Sequence, residues 1–266
     1  MLMKTSNGSV FNPLPKGRAG LTLVEVLVVL ALLAIVWAMM TPAFDGRPMR
    51  AGATWCMNNT KQLTCGWLTY AADNQDQLMP NPGWVTGVMD WNPNNPDNTN
   101  ADQLIDPSKS LIGDYVKSSD VFKCPADNFT SRKFKIKRVR SYSLNAILAG
   151  TNGPPETARM TTDLNNPGPA MIFSIVCEHP DSINDGVFQF ESSLEKWVDL
   201  PSGVHPGPSS PLAYVDGHAE IHKWVETSGT NKTVYPVTMT TNRPWAAQPV
   251  GSSLDYQWMQ ERMPKR

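Results

Sequence analysis

Residues 21–40 read LTLVEVLVVLALLAIVWAMM, and the fold turns on what this run is. As a helix it would be about 30 Å long, the thickness of a bilayer's hydrocarbon core. It lacks the polar face that a helix of a soluble core would show. One residue breaks the pattern, Glu25. A carboxylate near the start of a membrane helix costs on the order of 2.5–3.5 kcal/mol by insertion scales, and less near the interface, so it calls for a cation close by. Upstream, residues 1–20 are polar, carry Lys4, Lys16 and Arg18 as their only charges, and stop at Gly20. A secretory signal peptide also has a basic start, but its cleavage site follows the apolar core, and Thr41, Pro42 and Ala43 make a poor one. An ordinary single-span anchor accounts for the length and the basic flank. It gives no reason for a glycine and then, after four intervening residues, a buried glutamate.

Downstream, Pro42 is expected to kink or interrupt the helix. Beyond it Cys56, Thr60, Leu63, Trp67 and Tyr70 recur at three- and four-residue intervals, an amphipathic stripe suited to lying against a sheet. The first half of this helical region is therefore hydrophobic all round, and the second half anchors a globular domain. The chain's 266 residues suffice for one generous domain or two small ones. Lys and Arg number 23 against 24 Asp and Glu, so the overall charge gives no reason to expect nucleic acid. Four cysteines are too few for a disulfide framework. On a helix, Cys56 and Cys65 fall on opposite faces, roughly 13 Å apart along the axis, so a bridge from Cys56 would have to reach Cys124 or Cys177. A Cys56–Cys124 disulfide suits an oxidising compartment, and two buried thiols are the alternative.

After residue 78 the composition shifts to Pro, Asn, Gly and Trp. Residues 78–106 read as loop. Asp106 followed by Pro107 reads as a helix start, with a short helix to about Lys117. Strands are expected near 121–123, 134–145, 170–177, 186–191, 211–216 and 218–225. Asp216-Gly217, between LAYV and HAEIHKW, is a two-residue hairpin signal. The expected fold class is α+β, with a long amino-terminal helix, transmembrane in its first half, packed on an antiparallel β-sheet. Its parts are a leader over 1–20, a membrane and assembly helix over 21–42, and an amphipathic continuation over 43–77. A β-rich globular domain over 78–227 and a tail over 228–266, a loop with a short helix, complete it.

The stretch KGRAGLTLVEVLVVLALLAI, residues 16–35, resembles the class III signal of type IV prepilins and type II secretion pseudopilins. The resemblance implies a pilin-like fold and cleavage after Gly20 by a prepilin peptidase that also methylates the new amino terminus, Leu21. It also implies a structural pseudopilin subunit, polymerised through its helix, in which the Glu25 carboxylate neutralises a neighbour's terminal ammonium and sets axial register. The implied partners are the peptidase/N-methyltransferase, other pseudopilin subunits in homo- or hetero-assembly, an inner-membrane secretion platform and the lipid bilayer. The implied location is the bacterial inner membrane, single-pass, with the carboxy-terminal domain in the periplasm or on the outer face. Leu21 stands where the family often has Phe, and Val24 where Ile is common. CMNNTKQLTCGWLTYAADNQDQLMPN, VFKCPAD, RVRSYSLN and EHPDSINDGVF extend the likeness to a bacterial group of pseudopilin-like proteins marked by a histidine, nine residues, then Asp-Gly. Here ten residues separate His205 from Asp216.

Major pseudopilins of type II secretion use calcium in carboxy-terminal loops, and Asp181, Asn184, Asp185 and Asp216 supply the oxygens calcium prefers. The stretch DSINDG nevertheless lacks EF-hand spacing, so Asx turns and a hydrogen-bonded hairpin are the plain alternative. On a strand, His218 and His222 are roughly 13 Å apart and cannot share a zinc ion. The basic run SRKFKIKRVR, residues 131–140, reads as a strand whose outward lysines protect an edge; no nucleic-acid motif accompanies it. No nucleophile elbow, P-loop or HExxH is present, so no enzyme is expected. The alternative function is a membrane-tethered binding module, recognising a polymer through Trp84, Trp91 and Trp245, or a minor pilin for adhesion or DNA uptake.

Overall fold

The computed structural model describes residues 22–40, 47–130, 137–148, 157–191, 196–240 and 252–265. The chain divides into two compact units, Met1–Arg47 and Pro48–Arg266. In the first, helix α1 spans Leu23–Met40. Its apolar side chains from Leu23 to Trp37 are exposed on every side. Among the described residues no helix is long and apolar enough to cross a membrane. The 18 residues of α1 rise about 27 Å, just short of a typical hydrocarbon core. The expected bend at Pro42 lies outside the described residues.

Helix α2, Arg47–Asp73, opens the second unit with all but its first residue. Its buried stripe is Ala53, Cys56, Thr60, Leu63, Thr64, Trp67 and Ala71, while Cys65 is exposed on the other side, as nine residues at 100° each require. The stripe packs with Tyr142, Leu144, Ile175 and Cys177 of a five-stranded sheet, and Thr64 Oγ1 lies 2.8 Å from Ser174 Oγ. The strands are β1 (Tyr142–Asn145), β2 (Phe173–Cys177), β3 (Val187–Phe188), β6 (Ser209–Tyr214) and β7 (Ala219–Lys223), in the order β3-β1-β2-β6-β7. Strands β4 (Phe190–Glu191) and β5 (Lys196–Trp197) form a separate pair. The sheet is mixed rather than purely antiparallel, because β3 runs parallel to β1. The other face of the sheet, with Phe173, Val176, Leu212 and Tyr214, is covered by Trp197 and by Tyr256, Met259 and Met263 from helix α4 (Leu254–Gln260) and the residues after it. Burial on both faces explains why β1, β2 and β6 show no inward–outward alternation in exposure.

Several local expectations are corrected. Asp106 does not open a helix. It closes a one-turn helix α3 (Asp102–Ile105) with φ −80° and ψ 115°, the extended conformation that a following proline favours. Its carboxylate accepts from Ser108 N in an Asx turn, and a 3-10 turn follows at Leu111–Asp114. The segment expected as a strand over 121–123 is instead the end of a 3-10 turn, Ser119–Phe122. The hairpin at Asp216-Gly217 has a three-residue connection rather than two. Tyr214 N donates to His218 O and Gly217 N to Tyr214 O, with Gly217 at φ +89°.

The expected strand over 134–145 shortens to Tyr142–Asn145, and residues 131–136 lie outside the described residues. Arg138 and Arg140 point inward and are buried, the reverse of a charged edge. Arg138 donates to Pro180 O at 2.5 Å and stacks over Trp91 at 3.9 Å. Arg140 donates to Asn184 O at 2.7 Å and Thr86 O at 3.4 Å. Two guanidiniums thus tie the Asx-rich loop after α2 to the connection between β2 and β3.

Beside this region, the carboxyls of Glu178 and Asp199 both accept from Ser182 Oγ, at 2.7 and 3.4 Å. Burial, with the Asp199 charge adding to it, pushes Glu178 well above the usual carboxylate range. Burial likewise raises Asp199 to about 7 from an ordinary 3.8, against the hydrogen bond from Gln189 N at 2.7 Å. Between those values the folded state holds a proton that the unfolded chain has released. Stability is therefore expected to fall as pH rises from about 4 to about 7, by a few kcal/mol at about 1.4 kcal/mol per unit. Melting temperature measured across that window checks this, and Asp199→Asn should flatten the slope.

Candidate functional site

Two places in the chain concentrate unusual chemistry. The first is the start of α1. Thr22 N donates to Glu25 Oε2 at 2.7 Å, Glu25 N donates to Thr22 Oγ1 at 3.3 Å, and Thr22 Oγ1 donates to Glu25 Oε2 at 2.9 Å. This is a capping box, Thr-x-x-Glu, which satisfies two of the orphan donors of the first turn. It holds the carboxylate back on Thr22, at the amino-terminal end of the helix. Gly20 and Leu21 themselves lie outside the described residues.

The second is a buried cluster of Cys56, Cys124, Cys177 and His205, whose Sγ and imidazole nitrogen atoms all lie within 4.8 Å of one another. Cys56 comes from the inner stripe of α2, Cys124 from the loop after the Ser119–Phe122 turn, and Cys177 from the last position of β2. His205 comes from the bridge preceding β6. Cys124 Sγ is 3.3 Å from His205 Nε2, and the Tyr142 hydroxyl donates to Cys56 Sγ at 3.1 Å. Burial pushes the Cys56 thiol well above its ordinary value. Burial also acts to raise Cys124, but the Cys177 and Cys56 thiols and the His205 ring outweigh it and hold Cys124 well below the ordinary thiol range. The Cys56–Cys124 pair considered from sequence is thus brought together, with Cys177 and His205 beside it, and the three cysteines are free thiols.

The residues considered for calcium are placed otherwise. Asp181 Oδ1 accepts from Trp91 Nε1 and Met239 N, both at 2.9 Å, and its Oδ2 accepts from Thr238 N and Oγ1 at 2.7 and 2.8 Å. Asn184 Oδ1 accepts from Asp185 N, and Asp185 Oδ1 from Val187 N. Asp216 sits in the β6–β7 turn with its carboxylate on His218. These oxygens pin loops, and among the described residues the only grouping of three or more acidic, cysteine or histidine ligands is the thiol–imidazole cluster. The aromatic contacts considered for a binding module differ as well: Trp84 and Trp91 are buried, and Trp245 lies outside the described residues.

Compared with known proteins, residues 15–41 match the family described as the prokaryotic N-terminal methylation motif. The chain carries a prokaryotic N-terminal methylation motif. No curated protein and no solved structure matches the chain. The methylation motif is the class III signal of type IV pilins and pseudopilins, and the class it marks is structural and not generally enzymatic. It implies processing by a prepilin peptidase, assembly with other pilin-type subunits and a membrane-anchored amino terminus in bacteria. The motif contains the capped Glu25 and takes in the whole of α1.

The cluster escaped sequence reasoning because its four residues come from four separated segments with no short spacing among them. The available signal was chemical. The buried stripe already held Cys56, and CPAD and the histidine of the H-x10-DG run each contributed one more soft ligand.

Proposed function

We propose that this chain is a pseudopilin-type structural subunit of a type II secretion or related assembly. It is cut after Gly20, methylated at Leu21 and anchored in the bacterial inner membrane by α1, with the unit from Pro48 onward on the periplasmic or outer side. The observation that carries the reading is the methylation motif over residues 15–41 with Glu25 inside an otherwise apolar helix.

The physical argument is one of unmet surfaces. An exposed Leu, Val or Ile side chain forgoes about 1.5–3 kcal/mol relative to burial, and α1 exposes such side chains on every face. A bilayer, or the packed helices of neighbouring subunits, supplies the missing apolar surroundings. Glu25 then lacks a cation, and cleavage after Gly20 creates one at Leu21. In the single chain the capping box occupies the carboxylate; in an assembly the same oxygens accept from the ammonium of an adjacent subunit, which fixes axial register.

Glu25→Ala separates anchoring from assembly. Cross-linking in membranes should show ladders for the wild-type chain that disappear in the variant, while both remain in the membrane fraction. Equal ladders for the two would remove Glu25 from the assembly and count against the reading.

A further inference from the structure

The geometry points to a structural zinc site formed by Cys56, Cys124, Cys177 and His205, a Cys3His set that staples α2, the CPAD loop, the end of β2 and the segment before β6. This inference stands on the second unit alone and does not depend on the amino-terminal processing proposed above.

Four features argue for a bound ion. The donor set is three sulfurs and one imidazole nitrogen, the soft and borderline ligands that select zinc over calcium or magnesium. All four donor atoms fall within 4.8 Å of each other, close to the spacing that tetrahedral Zn–S and Zn–N bonds of about 2.3 and 2.0 Å require. The four residues are buried, from 0 to 3 % exposed, so the set is closed to solvent, as structural sites are and catalytic ones are not. The imidazole also has the right orientation. His205 turns Nε2 toward the cysteines, while Nδ1 is buried and finds no hydrogen-bond partner among the described residues. A histidine that ligates through Nε2 has that nitrogen satisfied by the metal and keeps its proton on Nδ1.

Binding is a ligand exchange with no redox step. Zn²⁺ gives up its water ligands and takes the three cysteines as thiolates, the protons they still hold passing to solvent, so that three Zn–S bonds and one Zn–N bond to neutral His205 form. The product carries a net charge of −1. The Tyr142 hydroxyl, already 3.1 Å from Cys56 Sγ, donates a hydrogen bond to one of the thiolates and so offsets part of that buried charge. The mechanical consequence follows from position. Cys177 pairs with Tyr142 across the β1–β2 ladder, and its carbonyl accepts from Ser202 N and Ser210 Oγ, so an ion at this point locks the centre of the sheet to α2 and to the entry of β6. Because the ligands are far apart in sequence, the ion closes long loops that a small interior must otherwise hold by packing.

The test uses the full-length chain, purified in detergent without a polyhistidine tag. Elemental analysis is expected to give one zinc per chain, and Cys65→Ser, at the exposed cysteine, should retain it. Cys124→Ser and His205→Ala should lose most of the metal. Because those variants could simply unfold, the wild-type chain is also exchanged with Co²⁺. The intense visible bands of tetrahedral cobalt, together with thiolate-to-cobalt charge transfer, would identify the ligands in the folded protein. A folded wild-type chain that contains no metal and takes up no cobalt would overturn the proposal. So would an intact mass two hydrogens light, with two of Cys56, Cys124 and Cys177 joined in a disulfide.

Discussion

Trp67→Ala is expected to lower the stability of the second unit by about 3–5 kcal/mol, the range for truncating a large aromatic in a core that cannot collapse around the gap. Trp67 is fully buried on the inner stripe of α2 and belongs to the cluster that joins this helix to Tyr142, Leu144 and Ile175. Its indole N–H has no hydrogen-bond partner among the described residues, so the side chain contributes through packing alone. Trp67→Phe should accordingly cost much less, since it keeps an aromatic ring and removes a buried donor that is unpaired. Denaturant titration of both variants in detergent checks the pair. Equal losses would mean that the indole nitrogen has a partner and that the packing account is incomplete.

Arg140→Ala is expected to cost about as much, roughly 3–5 kcal/mol, because two buried hydrogen bonds from a charged donor are lost. Burial lowers the Arg140 guanidinium to about 10, which leaves the cation in place at neutral pH. Its hydrogen bonds to Asn184 O and Thr86 O hold two loops that have little regular structure of their own. Removing it leaves Thr86 O without this donor and Asn184 O with Met89 N alone. Arg140→Lys keeps a charge but loses the planar fork that reaches both carbonyls, and an intermediate loss is expected. The same denaturant titrations rank the three proteins.

These two residues also mark the division between what the sequence made legible and what it hid. Trp67 was readable because helical periodicity is a local property. Spacings of three and four from Cys56 to Tyr70 placed the stripe, and the nine-residue step to Cys65 turned that side chain outward. Gly217 was readable as a turn because a positive φ favours glycine, although the number of connecting residues depends on the β6–β7 register.

Arg140 was not readable. Its partners are backbone carbonyls of distant loops, which leave no pattern in composition, so an alternating basic and apolar run looked like a solvated edge. The parallel pairing of β3 with β1 was hidden for a similar reason: it depends on where the connection after β2 returns. Gly186, at φ +87°, lets that connection turn, and its carbonyl accepts from both Trp84 Nε1 and Leu144 N. At the candidate sites the pattern repeats. Gly20, Leu21 and Glu25 lie within a few residues and could be read together, whereas the Cys3His set exists only once four segments have met.

The measurement that bears most directly on the pilin-type reading is intact mass and amino-terminal sequencing of the chain, recovered from membranes that contain a prepilin peptidase. The account predicts a mature chain that starts at an N-methylated Leu21. An intact chain that still begins at Met1, or one cut beyond Ala43, would contradict it.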